Sequence, residues 1–566
     1  MNQAGETVLA LAATCILLTW AVCAAILVGL GTLVARTLTP SYDLLDALWI
    51  GLIACAVFLG IWNLFLPVTA IPGCLLAGIG VLGLYRDRRW LAERVKQIAR
   101  FRALLGIYAV LLAGIAIRAA GPCEYYDTGL YGAQAVRWIQ TYPTVFGLAN
   151  VHGRLGFNSP VFLFDAALSH GPWGNLYFHL FGGFILCVLW AVVLPSCRSV
   201  IRADNPTAAD WFRVIVAVAL SVWSVRGTLV GTTTDEPSTL VCLAAAAVLF
   251  EEMDRHRSGG AADSHRLLKL TIATMLFALA VTFKLSVLVL ALLGWILGFA
   301  ILYSARHQSR LVWVVVAGAM AVVAPWVAAR VILSGYPLFP STALAFPCDW
   351  RVPRGVANMY QLWIRSWGRA GVQEAYGLGW LRPWLHDMIR NRSGFQVPLA
   401  IALCSLINLT VKRESRTVNA SNAWLLLPSA AGIIFWFWES PDPRFGQAAI
   451  WTFAATLGAL AIRGFTGSAL MRQRIAVGLL GLATLWCLFS FGWRHSYRVL
   501  RFTNAFAGVP EAEIVARETV SGLTLYVPVI NNQCWNAPLP CTPYFDANLT
   551  THLGWHSRLE FVSDVR

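Results

Sequence analysis

The run Ala103-Leu104-Leu105-Gly106-Ile107-Tyr108-Ala109-Val110-Leu111-Leu112-Ala113-Gly114-Ile115-Ala116-Ile117-Arg118-Ala119-Ala120, with Cys123-Glu124-Tyr125-Tyr126-Asp127-Thr128-Gly129-Leu130-Tyr131 just beyond it, decides how this chain is read. The first part is apolar and long enough to cross a bilayer. The second sets two carboxylates, Glu124 and Asp127, three residues apart where the helix should leave the membrane. Beyond them Tyr131, Ala135, Trp138, Ile139 and Tyr142 recur at helical spacing, opposite Gln134, Arg137 and Thr141. A short amphipathic helix along the interface is expected there, ended by Pro143. Carboxylates beside a membrane surface suit general-base work or a metal. The plainer alternative is that Asp127 only caps the helix.

The same apolar character extends over the 566 residues, which are 58% hydrophobic and only 13% charged, about half the charged share of an ordinary soluble protein. Repeated apolar runs of membrane length make the chain an all-α, polytopic integral membrane protein. The formal charge of +15 is therefore not a nucleic-acid signal. In such a protein basic residues set topology, and they also meet anionic lipids or phosphates. The first run, 8–34, lacks a basic leader and is too long for a signal core, so it reads as a retained span. Most of the thirteen cysteines sit in apolar runs, as small core residues do.

About fourteen spans are expected: 8–34, 43–65, 68–85, 103–120, 176–195, 212–230, 237–250, 268–283, 286–303, 311–333, 395–411, 423–438, 446–462 and 475–493. The loop 86–102 carries Arg86, Arg88, Arg89, Arg94, Lys96, Arg100 and Arg102 and is assigned to the cytoplasm. Counting from it, every other cytoplasmic loop also holds basic residues. The loops 121–175 and 334–394 and the tail fall on the far side. Runs 237–250 and 268–283 look short for a bilayer. The arginines of 334–394 break the charge rule on that side, and phosphate binding is one reason for them to be there. The chain divides into extra helices with a basic loop (1–102), a transmembrane core (103–493) and a small outer domain (494–566). In that polar tail Cys534 and Cys541 are expected to form a disulfide.

Ionisable residues at membrane depth are costly and mark functional sites by default. With this topology they collect on one side. Thr234-Asp235-Glu236-Pro237 opens one span, Lys284 sits in the apolar hairpin 280–286, and Pro441-Asp442-Pro443-Arg444-Phe445 joins two spans. Each has a plain explanation: a helix N-terminus for Asp235 and Glu236, snorkelling for Lys284, a local pair with Asp442 or Glu439 for Arg444. Together, carboxylates with Lys and Arg on one face suit a substrate with a phosphate at one end and a hydroxyl to deprotonate at the other.

Tyr126-Asp127-Thr128-Gly129-Leu130-Tyr131, His152-Gly153-Arg154-Leu155-Gly156-Phe157-Asn158-Ser159, Thr234-Asp235-Glu236-Pro237, Thr282-Phe283-Lys284, Pro441-Asp442-Pro443-Arg444-Phe445 and the tail's Asn532-Gln533-Cys534-Trp535 follow one another in an order that resembles the GT-C superfold. These are polytopic glycosyltransferases that use polyprenyl-phosphate sugars. Within them the chain looks most like the LIC_10190-type family of bacterial membrane proteins. The resemblance covers residues from about 103 onward. It implies that Asp127 is the general base, with Glu124 second to it, that Lys284 and Arg444 hold the lipid phosphate, and that His152 and Arg154 contact substrate or phosphate. Asp235 and Glu236 would orient the acceptor or bind a divalent cation; no other cofactor is implied. The chain departs from the superfold in three helices ahead of the acidic loop and in carboxylates that are not adjacent.

The implied reaction is inverting transfer of a sugar from a polyprenyl-phosphate donor to a periplasmic glycan or glycolipid. The implied location is a bacterial inner membrane, with the site facing the periplasm, membrane lipids as neighbours and no nucleic-acid partner. Two rivals stand beside it. One is a polysaccharide polymerase or ligase that uses lipid-diphosphate oligosaccharides. The other is a transporter of lipid-linked sugars, for which a charged path through the spans would be needed.

Overall fold

The computed structural model describes residues 3–123, 125–171, 179–257, 263–304, 309–371, 377–411, 423–463, 469–499, 508–553 and 559–563. Among the described residues it is all-α apart from two small hairpins in the tail, and the expected apolar runs lie mostly on helices, although 212–230 outlasts its helix, which ends at Trp223, and 176–178 lie outside the described residues. Eight of the described helices are long and apolar enough to cross a membrane, or up to ten if each of two bent pairs is one span.

The chain opens with α1 (Gln3–Leu38), α2 (Leu44–Phe65) and α3 (Ala70–Arg86). Asp43 and Asp46 start α2 with reciprocal side-chain-to-backbone bonds. The three helices pack backbone to backbone. A Cβ on Gly31 would overlap the carbonyl of Ala47, and one on Gly51 that of Leu27, so small residues set the spacing. The basic helix α4 (Arg88–Ala99) leaves α3 at 80° with no buried residue. These first helices share their apolar core with the rest of the chain. Trp20 Nε1 donates to Leu180 O at 3.0 Å, Val68 N to Ile139 O at 2.9 Å, and His265 Nε2 lies 2.7 Å from Asp46 Oδ2.

α5 (Arg102–Ala119) leads into the acidic loop, followed by the short helices α6 (Ala133–Thr141), α7 (Leu148–Val151) and α8 (Pro160–Leu168). The bundle continues with α9 (Leu180–Arg202), α10 (Ala208–Trp223), α11 (Asp235–Arg257), α12 (Ser264–Phe283), α13 (Leu288–Ser304) and α14 (Ser309–Ser334). Where short spans were expected, α11 and α12 run for 23 and 20 residues. Their charged ends continue the helices because the charges are paired: Glu251 with Arg213, and Glu252 with Arg266 at 2.9 Å.

The long loop after α14 holds two amphipathic helices, α15 (Arg354–Gly368) and α16 (Leu381–Asn391). Then come α17 (Ser393–Val411), α18 (Leu426–Glu439), α19 (Pro443–Arg463) and α20 (Ala469–Val499). Several of the loop's arginines brace it. Arg365 pairs with Glu439 at 2.9 Å, Arg392 with Asp387 at 2.8 Å, and Arg369 donates to Trp438 O while stacked on Trp380.

The tail forms two antiparallel hairpins, β1 (Ile514–Glu518) with β2 (Thr524–Pro528) and β3 (Leu549–Leu553) with β4 (Leu559–Ser563). Cys534 and Cys541 are disulfide-bonded and buried. The tail is docked on the acidic loop. Trp535 N donates to Gly129 O at 3.1 Å and Gln533 Nε2 to Tyr126 O at 3.2 Å. Gln134 Nε2 donates to the carbonyls of Trp535 and Ala537, and Arg137 to those of Asn536 and Ala537. The polar face of α6, expected to meet water, is thus the seat of the tail.

Candidate active site

Gly121-Pro122 breaks α5, and the chain then winds through a single π turn, Thr128–Gly132, into α6. Such a turn holds one residue more than an α turn and is common at functional sites. Glycines on its two sides let it sit tight: a Cβ on Gly129 would meet the Trp535 ring, and one on Gly132 the hydroxyl of Thr232. Asp127 stands at the head of this turn, yet its side chain makes no capping bond. The carboxylate goes elsewhere. Oδ1 accepts from Arg154 Nη1 at 3.2 Å and Oδ2 from Arg444 Nη1 at 3.0 Å. The capping explanation of Asp127 is therefore replaced by an arginine–carboxylate–arginine clamp. Glu124 lies outside the described residues.

Both arginines are fixed from below by aromatic rings. Arg154 sits on the one-turn helix Gly153–Phe157, which Tyr360 secures by accepting from Gly153 N at 3.1 Å. Its guanidinium lies over Trp363 at 5.4 Å and Tyr131 at 5.6 Å. Arg444 is in the first turn of α19, behind Pro443, with its backbone N–H on Asp442 Oδ1 at 2.9 Å. Its guanidinium lies over Trp367 at 4.2 Å and Phe445 at 4.7 Å. Trp363 and Trp367 are one turn apart on α15, so a single helix face supports both arms of the clamp. Arg444 Nε is 3.9 Å from Asp442 Oδ1, so the local pair is the weaker of its two.

Lys284 ends α12 and ion-pairs with Asp235 in the first turn of α11, with its Nζ 4.4 Å from the centre of the Phe445 ring. It is held by a carboxylate and does not snorkel to head groups. Asp127, Arg154, Lys284 and Arg444 all line one cavity of about 790 Å³. Most of the remaining wall is aromatic or apolar, with Tyr126, Trp363, Trp367 and Tyr544 among its rings and Leu285, Leu288, Leu338 and Phe435 among its apolar side chains. Glu439 is on the wall as well, paired with Arg365.

Three of the residues named from sequence stand off this wall. Asp235 reaches the cavity only through Lys284. Glu236 is buried and accepts from Thr233 Oγ1 at 3.0 Å. A divalent cation does not fit this pair, because the ammonium of Lys284 occupies the carboxylate that would ligate it. His152 is 2% exposed, edge-on to Tyr544, and burial beside Arg154 pushes it down to about 3. It stands off the cavity wall and packs against Tyr544, which lines it. Burial, with Asp127 close by, pushes the Tyr131 phenol up to about 12.

Sequence reasoning missed Trp363 and Trp367, although their spacing inside an amphipathic stretch was a usable signal. It also missed Arg330, a buried arginine of α14 on the cavity wall that donates to Phe157 O at 2.8 Å and to Phe339 O. One of its partners, Phe157 O, is 173 residues away, which no local pattern reveals.

The model of a family described as Domain of unknown function (DUF8201) matches residues 14–451. No curated protein matches the chain. Among solved structures, the chain is similar to the single-particle cryo-EM structure of arabinosyltransferase EmbB from Mycobacterium smegmatis, at 15% identity and a TM-score of 0.37. That similarity covers 77% of this chain and 43% of the other, so the chain spans less than half the length of that protein.

Proposed function

The chain belongs to the family described as Domain of unknown function (DUF8201), so its reaction has to be read from its own cavity, and we propose that it is a membrane glycosyltransferase of the GT-C type. The donor is a polyprenyl-phosphate sugar, and the acceptor a hydroxyl of a glycan or glycolipid on the periplasmic side of a bacterial inner membrane. The observation that carries this reading is the Arg154–Asp127–Arg444 clamp on the wall of a cavity that also holds Lys284. Two guanidiniums and an ammonium suit a phosphate. The leucines and Phe435 suit an isoprenoid chain, and the tryptophans and tyrosines give flat faces for a sugar ring. Asp127 is the one carboxylate on the wall placed between the cations, and it takes the proton of the attacking hydroxyl. That oxygen bonds to the anomeric carbon with inversion, and the bond to the phosphate oxygen breaks. The lipid phosphate leaves already anionic and rests on the arginines.

The test is transfer by purified protein from a polyprenyl-monophosphate sugar, alongside a diphosphate-linked oligosaccharide, with surface glycans of wild-type and deletion strains compared by mass spectrometry. Transfer from the monophosphate donor is expected. Arg444→Ala should weaken donor binding by roughly 2–4 kcal/mol, the usual loss when one partner of a desolvated charge contact is removed. Arg444→Lys should restore it only in part, because an ammonium cannot fork or stack on Trp367 as a guanidinium does. Transfer only from the diphosphate donor would replace this reading with the polymerase or ligase one.

A further inference from the structure

The clamp raises a question that the reaction alone does not answer. The arginines meant for the phosphate already hold the carboxylate meant to be the base. Each spends one N–H on Asp127, through Nη1 in both cases. Each Nε is buried without a hydrogen-bond partner among the described residues, Arg444 Nε lying 3.9 Å from Asp442 Oδ1. Asp442 is drawn to Arg392 as well, at 3.8 Å, so the two cations on the wall share one close carboxylate and keep positive charge to spare in a cavity whose wall is mostly apolar. A guanidinium fork is matched by an anion with two or more oxygens on one centre, and a phosphate offers more of them than a carboxylate does. Lys284 adds no free charge, since Asp235 neutralises it, and Glu439 is held apart by Arg365.

We infer that Asp127 is the resident occupant of an oxyanion seat built by Arg154 and Arg444, and that the phosphate of an incoming lipid takes its place. Donor binding is then the event that frees the base. The donor binds before the acceptor, and a cavity without donor holds Asp127 tied to both arginines and idle. This rests on the donor reading proposed above and adds to it an order of binding and a built-in safeguard against activating a hydroxyl, or water, with no donor in place. The linkage is thermodynamic. Whatever free energy the two arginines give Asp127 is subtracted from what they give the phosphate, so removing the carboxylate charge must tighten phosphate binding.

The experiment is an equilibrium titration of the full-length protein in detergent with farnesyl phosphate, a short polyprenyl monophosphate. Asp127→Asn is expected to bind it about tenfold tighter than wild type. Glu439→Gln, which removes another wall carboxylate outside the clamp, should leave the affinity as it was. Arg154→Gln in the Asp127→Asn background should erase the gain. Asp127→Ser serves the same purpose if the asparagine variant does not fold. Equal or weaker binding by folded Asp127→Asn overturns the exchange, and so does an equal gain from Glu439→Gln, which would reduce the effect to net charge. Failure of the underlying reading looks different: wild type would bind farnesyl phosphate with the expected variant pattern yet transfer no sugar from any lipid-phosphate donor.

Discussion

Asp127 Oδ2 and Arg444 Nη1 are 3.0 Å apart in space and their residues 317 apart in sequence. This contact closes one end of the bundle, joining the turn that follows α5 to the first turn of α19. It makes Asp127 the centre of a clamp rather than the cap of a helix, and it changes what substitutions there should do.

Asp127→Asn is expected to lower sugar transfer by on the order of 10²-fold or more, the usual share of a positioned general base. The side chain makes no capping bond, so no cap is lost, but Arg154 and Arg444 lose their shared counter-ion, and the melting temperature should fall along with the rate. Initial rates of transfer beside the melting temperature of the purified variant check both halves. A variant that keeps most of its rate would move the search for the base to Glu124.

Lys284→Ala is not a clean binding variant. Its ammonium is the partner of Asp235, whose residue is 7% exposed, and its loss strands a buried carboxylate. A cost of about 3–5 kcal/mol is expected, with poor yield of folded protein. Lys284→Met combined with Asp235→Asn removes both charges together and should recover most of that loss in a detergent thermal-stability assay, while donor affinity stays low.

His152 gives the molecule a signature in acid. Its folded value is about 3, against 6.5 for the free side chain. As pH falls through 6.5 the unfolded chain takes up a proton here that the folded chain refuses. Stability is therefore highest above that point and is lost progressively toward pH 3. His152→Phe should keep the edge contact with Tyr544 and flatten part of the decline in melting temperature between about pH 6.5 and 4.

Cys534→Ser is expected to destabilise the tail by ~2–3 kcal/mol, the entropy of so short a closed loop. Because Gln533 and Trp535 flank that cysteine and hold the acidic loop, the same variant should lower transfer as well. Maleimide labelling of non-reduced protein should spare both cysteines, and labelling of both would refute the bond.

The helical architecture was open to reading because a bilayer demands long apolar runs, and these lie mostly on helices among the described residues. The lengths of α11 and α12 were not, because paired charges extended them past the apolar stretch. At the site, Asp127, Lys284 and Arg444 stood out as charges among apolar spans and Arg154 came with the motif that carries the resemblance, and the cavity brings the four together. Which cation meets which carboxylate was hidden, since local pairing such as Arg444 with Asp442 looks equally good on paper. His152 was misplaced for a related reason: position in a motif says nothing about which way a side chain is turned. The tryptophans of α15 were lost inside a loop whose arginines drew attention as phosphate ligands, although several serve as braces.

The tail's grip on the acidic loop also sets a schedule. Gln134 is synthesised 401 residues before Trp535, the residue whose carbonyl it binds, and Tyr126 407 residues before Gln533. During that interval the loop has to wait, membrane-inserted but unclasped, while every span from α9 to α20 is made and threaded. A ribosome that stalls anywhere in that stretch releases a chain with its acidic residues present and its clasp missing. The acidic loop is clasped only once Gln533 and Trp535 have been made, so a copy halted before them carries the loop without its clasp.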